Sequence, residues 1–197
     1  MKAILSTVAA LLLAGTANAA VVNVTITSPA GATWVDYTGT GPIGDDSFDM
    51  DDKIYTMNEQ KNVVLGADVD VMGGTIAAGK KVDSHYVWFD PEDRLPGKAE
   101  FTFTGKILGI IIGKTGLEAT EAALGLAGVT YLYPRLVGLE PGDFVIGADN
   151  VLTINWKTST PGDHIRVITA AVPVPAAGGL LALGLLGLGA LRRRKSA

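Results

Sequence analysis

The chain has 197 residues, of which 48% are hydrophobic and 18% are charged. This composition can form the core of one domain and excludes an intrinsically disordered chain. The absence of cysteine excludes disulfides, zinc–thiolate sites, iron–sulfur clusters and thiol nucleophiles. The formal net charge of −4 is unevenly distributed, because residues 20–175 hold 11 basic and 20 acidic residues, which leaves −9. A segment this acidic is a poor candidate for binding nucleic acid through phosphates.

The first 19 residues have the pattern of a secretory signal peptide. Lys2 precedes an apolar run over residues 3–15, and Ala17-Asn18-Ala19 fits the small-x-small cleavage rule. We expect the Sec translocon to export the chain and signal peptidase to cut between Ala19 and Ala20. An uncleaved anchor or a buried helix is the alternative, which the short run and the well-formed cleavage box disfavour.

Residues 20–171 contain short β-rich runs separated by turn residues, and several runs alternate apolar and polar side chains. One stretch, residues 117–124, has a helical pattern that Gly125 closes. Many short strands with one short helix predict an all-β fold, an antiparallel β-sandwich that resembles a jelly roll. Strands are predicted at 21–27, 33–37, 53–57, 62–65, 82–89, 99–103, 107–112, 129–133, 144–146, 151–157 and 164–171.

Residues 172–197 contain three parts in a fixed order. A stiff motif comes first, followed by an uncharged apolar stretch over 176–191 and then by a basic cluster. As a helix the apolar stretch covers about 24 Å, slightly less than the roughly 30 Å hydrocarbon core of a bilayer. The positive-inside rule predicts a transmembrane helix with the basic cluster in the cytoplasm and residues 20–171 outside. A buried core helix is the alternative, which the all-round apolar pattern disfavours. The motif is Val172, Pro173, Val174, Pro175 and Ala176, and the cluster is Arg192, Arg193, Arg194 and Lys195.

Together these three parts resemble the PEP-CTERM type of sorting signal, which Gram-negative bacteria use on exported proteins. The motif is similar to the VPLPA-CTERM variant, Val-Pro-Leu-Pro-Ala, with Val174 in place of Leu. The resemblance implies processing by an exosortase, a membrane-embedded cysteine transpeptidase-like enzyme. It also implies a precursor in the inner membrane with its body on the periplasmic side. The mature form would then be at the cell surface or extracellular, among proteins often associated with exopolysaccharide and biofilm.

Five aspartates crowd into residues 45–52 and suggest a cation site. Asp45, Asp49 and Asp51, together with Ser47, follow the alternate spacing of calcium ligands in an EF-hand loop. However, Met50 stands where that loop needs glycine, and Thr56 stands where the closing glutamate belongs. The sequence favours a solvated acidic loop and leaves a looser calcium site open.

Three other patterns carry candidate chemistry. Asp83, Ser84 and His85 include the residue types of a catalytic triad, but neighbours on a strand point to opposite faces. Residues 109–115 approximate a phosphate-binding loop, although Leu108 replaces its first glycine. Five rings could stack on sugars, but core packing is favoured because Trp156 alternates with apolar residues. These rings are Trp34, Trp88, Trp156, Tyr131 and Tyr133.

The sequence therefore predicts no catalytic residue and no cofactor. Our leading hypothesis is a non-enzymatic, surface- or matrix-directed protein with a structural or adhesive role. A glycan- or calcium-binding β-sandwich module is the alternative, and an exported hydrolase is a third hypothesis.

Overall fold

A computed structural model describes residues 20–44, 47–134, 137–139, 142–158 and 162–172. Asp45, the predicted signal peptide, the sorting motif beyond Val172, the apolar stretch 176–191 and the basic cluster lie outside the described residues. No helix within the described ranges has the length and apolarity needed to cross a bilayer.

The described residues form eleven strands and one helix. In chain order these are β1 (Val21–Ser28), β2 (Thr33–Asp36), β3 (Lys53–Val64), β4 (Val69–Val71), β5 (Gly74–Ile76), β6 (Lys81–Phe89), β7 (Leu95–Phe103), β8 (Ile107–Ile112), α1 (Lys114–Leu124), β9 (Phe144–Ile146), β10 (Val151–Thr158) and β11 (Asp163–Ala170). The prediction of an all-β fold with one short helix is confirmed.

The strands form two main sheets and a small ribbon. The four-stranded sheet has the order β1-β7-β10-β9, and all its neighbours are antiparallel. The five-stranded sheet has the order β2-β3-β6-β11-β8, while β4 pairs with β5 in the ribbon. Contrary to the antiparallel prediction, β2 runs parallel to β3. The cause is the connection over residues 37–52, which is long enough to return the chain to the start of β2 before β3 begins.

The two sheets face each other across one apolar core. The four-stranded sheet contributes alternate side chains such as Phe101, Leu152 and Trp156, and the five-stranded sheet contributes Phe89 and Val167. The rings of Phe89 and Trp156 lie 5.7 Å apart between the sheets. The period-two pattern of β7 and β10 follows from this arrangement, since only one face of their sheet is buried.

A second core covers the other face of the five-stranded sheet. There Tyr86 and Trp88 of β6 pack with Leu117 and Leu124 of α1 and with Tyr131 from the segment that follows the helix. The central strands β6 and β11 are consequently buried on both faces, which explains their almost continuous burial. This third layer of helix and loops was not predicted.

Several element boundaries differ from the predictions. The runs 53–57 and 62–65 are parts of one strand, β3, whose register shifts where Asn62 adopts a φ of 56°. The run 129–133 is not a strand, because Tyr131 makes a single bridge to Ile43 and otherwise packs as a loop. Strands β4 and β5 were missed, and α1 begins at Lys114 rather than at residue 117.

Candidate functional site

A buried ion pair lies at the centre of the second core. Glu59 of β3 and Arg166 of β11 reach across β6 and form two parallel hydrogen bonds. Arg166 Nε donates to Glu59 Oε2 at 2.7 Å, and Nη2 donates to Oε1 at 2.8 Å. Both side chains are fully buried. Such a pair needs further hydrogen bonds, because both charges have lost their hydration.

Neighbouring groups supply these bonds. The hydroxyl of Ser84 donates to Glu59 Oε2 at 2.6 Å, and that of Tyr131 donates to Oε1 at 2.7 Å. Arg166 Nη1 donates to the Leu117 carbonyl at 3.0 Å and to Thr120 Oγ1 at 2.7 Å. The pair therefore connects β3, β6 and β11 to α1 and to the segment beyond the helix.

Electrostatics fix the protonation states in this network. Burial opposes the charge on Arg166, but the Glu59 carboxylate outweighs it and holds the pKa of the guanidinium above its ordinary value. Burial, and then the charge of Glu59, raise the pKa of the Tyr131 hydroxyl, so it stays a hydrogen-bond donor. The guanidinium also lies 5.5 Å from the ring centroid of Tyr86 and 5.6 Å from that of Tyr131. With both charged groups fully buried, the geometry suits a structural clamp rather than catalysis.

The three residues of the triad type do not converge. Ser84 points into the second core toward Glu59, whereas the His85 ring lies 5.1 Å from that of Phe103 on the four-stranded sheet, and Asp83 Oδ1 accepts the Asn62 N–H on β3. His85 Nδ1 lies 2.8 Å from Asn58 Oδ1, and its Nε2 lies 3.0 Å from Thr169 Oγ1. A neutral ring satisfies both contacts when Nδ1 donates to Asn58 and Nε2 accepts the Thr169 hydroxyl. Burial lowers the pKa of His85 to about 3, and the positive charge of Lys61 acts in the same direction.

The stretch that approximates a phosphate-binding loop connects β8 directly to α1. Only Gly113 separates the strand from the helix, so no loop of the required length exists there. Gly138 packs on this junction so closely that a Cβ on it would lie 2.4 Å from the Gly113 nitrogen. Lys114 Nζ donates to the Tyr133 carbonyl at 2.8 Å and lies 3.3 Å from Glu118. Lys114 and the Gly113 junction therefore contact other parts of the protein, at the positions that a phosphate-binding loop would offer to a ligand.

The calcium candidates do not form a cage within the described residues. Phe48 anchors this loop, since its ring packs on Tyr55 and Trp88 and its N–H donates to Asp90 Oδ2 at 3.2 Å. Asp51 Oδ1 accepts the Asp93 N–H at 3.4 Å. In the part of the chain that the structure describes, which includes Asp49 and Asp51, no three Asp, Glu or His side chains are grouped to hold a metal ion.

The five rings considered for sugar stacking do not form an exposed platform. Trp88 and Trp156 are at most 1% exposed, and Tyr131 and Tyr133 are below 10%. Trp34 is half-buried, and its Nε1 donates to Thr56 Oγ1 at 2.8 Å. Core packing, the alternative considered from the sequence, accounts for these rings.

A surface groove of about 430 Å³ lies between residues 65–70 and α1. Its helical side is formed by small residues such as Gly116 and Ala119. On the opposite side, Asp68 accepts the Ala78 N–H at 2.8 Å, and Asp70 accepts the Thr75 hydroxyl at 3.0 Å. Both carboxylates therefore stabilise the β4–β5 ribbon.

Sequence reasoning missed the buried ion pair. Its one visible signal is Arg166, a charged residue inside the apolar run of β11. A charge there requires a partner, but nothing in the sequence identifies Glu59, which lies 107 residues away.

Comparison of the chain with protein-family models, with curated proteins and with solved structures gave no match.

Proposed function

We propose that this chain is an exported, surface- or matrix-directed protein without enzymatic activity, with a structural or adhesive role. One observation carries the proposal. Strand β1 begins at Val21 and strand β11 ends at Ala170, so every described strand lies between the predicted signal-peptidase site and the predicted sorting motif. Removal of either address would leave the strands intact.

The start of the body supports cleavage between Ala19 and Ala20. The Ala20 nitrogen donates to Thr104 Oγ1 at 2.8 Å, and the Ala20 carbonyl accepts the Thr104 N–H at 3.0 Å. A new amino terminus at Ala20 keeps both interactions. Val21, the next residue, is already buried in the sandwich core.

The end of the body supports attachment through the tail. Strand β11 is paired on both sides, by β6 and by β8. The Ala171 N–H still reaches the Lys81 carbonyl at 3.4 Å, after which Pro173 has no N–H to continue the pairing. A load on the tail would therefore be borne by two ladders of hydrogen bonds.

The crossing pattern supports a jelly-roll-like sandwich. The chain passes from one main sheet to the other between β1 and β2, β6 and β7, β7 and β8, β8 and β9, and β10 and β11. Repeated crossing between two facing sheets is typical of that architecture.

Three variants of the full chain test the proposal in a Gram-negative host that carries an exosortase. Deletion of residues 172–197 should release a folded body with an almost unchanged melting temperature. Replacement of Pro173 and Pro175 by alanine should leave the precursor uncut, because the motif that the processing enzyme reads is lost. The uncut chain should stay in the inner membrane, because each arginine of the basic cluster costs about 3 kcal/mol at the bilayer centre. The matched control, Pro42→Ala, changes an exposed proline of the body and should be processed normally. A truncated body that unfolds or aggregates would show that the tail belongs to the core.

A further inference from the structure

Three of the four edge strands of the two main sheets are protected against further pairing, and β1 is not. Strand β9 has only three residues, and β2 has four and ends in the charged Asp36. Strand β8 is covered by the β4–β5 ribbon, where the Met72 N–H donates to the Ile110 carbonyl at 2.8 Å. Strand β1, in contrast, has eight residues and contains neither a charged residue nor a proline.

The outer side of β1 is available for pairing. Its ladder is formed with β7 alone, so alternate N–H and C=O groups point away from the sheet. Beyond that ladder, no backbone group of Val22–Ile26 hydrogen-bonds elsewhere within the part of the chain that the structure describes. The edge lacks the charges that commonly block strand addition, and its regular part, residues 23–26, measures about 14 Å.

We propose that β1 pairs antiparallel with β1 of a second copy and joins the two four-stranded sheets into one. The inference goes beyond the proposed function, because it concerns residues 20–172 alone and holds whether or not the chain is exported.

In an antiparallel pair of two β1 strands, apolar side chains lie opposite apolar ones and polar side chains lie opposite polar ones. A twofold axis perpendicular to the sheet keeps the core-facing side of both copies on the same side. In a register centred on Thr25, Val24 lies opposite Ile26 of the second copy, and Asn23 lies opposite Thr27. Val24 and Ile26 are only partly buried against the sandwich core, and pairing would complete their burial. The opposite face would bring uncharged polar residues together.

The pairing should be reversible and concentration-dependent. Register shifts between Val21 and Asn23 and between Ile26 and Ser28 confine the regular part of the strand to its middle. Two bodies that each carry −9 also repel one another, so salt should strengthen the association. We choose a second copy as the partner because β1 has no charged side chain that would favour pairing with a charged strand.

The absence of cysteine makes a cross-linking test specific. Opposed residues of an antiparallel pair have Cα atoms about 4.5–5.5 Å apart, within the range that a disulfide spans. The full chain carrying Thr25→Cys, purified as the cell makes it and treated with a mild oxidant, should form a covalent dimer. Val145→Cys is the control, since Val145 is 58% exposed on β9 at the opposite edge. Equal cross-linking of both variants, or none at Thr25→Cys, would overturn the proposal.

Equilibrium sedimentation of a second pair of variants tests the same proposal through the dimer dissociation constant. Thr25 and Thr153 flank the same residue, Glu100, from the two sides of β7. Thr25→Glu and Thr153→Glu thus add a similar repulsion within one copy, but only Thr25→Glu places like charges opposite each other at the β1 edge. Thr25→Glu should raise the dimer dissociation constant about 5-fold or more, and Thr153→Glu should leave it unchanged. A parent protein that stays monomeric, or equal effects of both variants, would overturn the proposal.

Discussion

Glu59 and Arg166 show how a charged pair is accommodated in an apolar core. Each carries bonds beyond the pair itself, from Ser84 and Tyr131 on one side and to Thr120 on the other. Burial of the two charges is costly, and the pair compensates for it only while every partner remains in place. The pair therefore joins the helix layer to the five-stranded sheet through hydrogen bonds of Arg166 to Leu117 and Thr120.

Removal of one partner should be strongly destabilising. Arg166→Leu leaves the Glu59 carboxylate buried without a counter-ion, and we expect a loss of about 3–5 kcal/mol in the free energy of unfolding. Denaturant unfolding followed by tryptophan fluorescence measures it. The control is Lys106→Leu, which breaks the exposed pair of Lys106 with Asp149 and should change stability by less than about 1 kcal/mol. Similar losses in both variants would contradict a clamp at Arg166.

The buried ring of His85 should make stability depend on pH. Its pKa is about 3 in the fold and about 6.5 when unfolded, so the unfolded chain binds the extra proton below pH 6.5. The contribution of the neutral His85 ring to the free energy of unfolding is complete above pH 6.5 and is lost as the pH falls toward 3. Between pH 7 and pH 5 the parent should lose about 2 kcal/mol that His85→Gln retains. Parallel stability curves for the two proteins would contradict a neutral, buried His85.

At the residue scale, the sequence predicts which face of a strand a side chain lies on better than it predicts which residue that side chain contacts. Strand alternation correctly places Ser84 on the face opposite to Asp83 and His85, because it is a local property of extended backbone. The acceptor for Ser84 could not be foreseen. It lies on another strand, in a register that shifts next to Glu59.

At the scale of elements, close contact between the sheets depends on one glycine. A Cβ at Gly97 of β7 would lie 2.9 Å from the Phe89 ring and 3.0 Å from the Trp156 ring. Both rings are fully buried between the sheets and have little room to move.

Gly97→Ala should therefore destabilise the sandwich by about 1–3 kcal/mol through overpacking. Thermal unfolding, with near-ultraviolet circular dichroism to report on Trp156, measures the change. Gly66→Ala is the matched control, because no atom lies within 4 Å of its added Cβ and its backbone is not left-handed. We expect it to change stability by less than about 1 kcal/mol. Equal tolerance of both substitutions would contradict the described approach of the sheets.

The predicted elements were most accurate where one face of a strand is buried. The alternation in β7 and β10 identified both strands, and β9 was predicted with its observed bounds. The prediction of a strand at 129–133 was wrong, because Tyr131 is buried without belonging to a sheet. Its ring packs in the second core, and its hydroxyl donates a hydrogen bond to Glu59. The polar residues around Asn62 made one strand look like two.

For the whole molecule, the pattern of short strands and turns predicted an all-β body but not its third layer. Burial of both faces of β6 and β11 leaves no alternating pattern, so these strands could be recognised without showing what covers them. The parallel placement of β2 beside β3 depends on a long connection, which sequence patterns do not resolve. The roles of the two ends remain predictions from their motifs.

The intact mass of the exported protein tests the central claim most directly. The claim is that residues 20–171 form a complete β-rich body between two removable addresses. Protein collected from the cell surface or medium should begin at Ala20 and should lack the apolar stretch 176–191 and the basic cluster. Exported protein that retains Met1, or that carries Arg192 to Lys195 at the surface, would contradict this account.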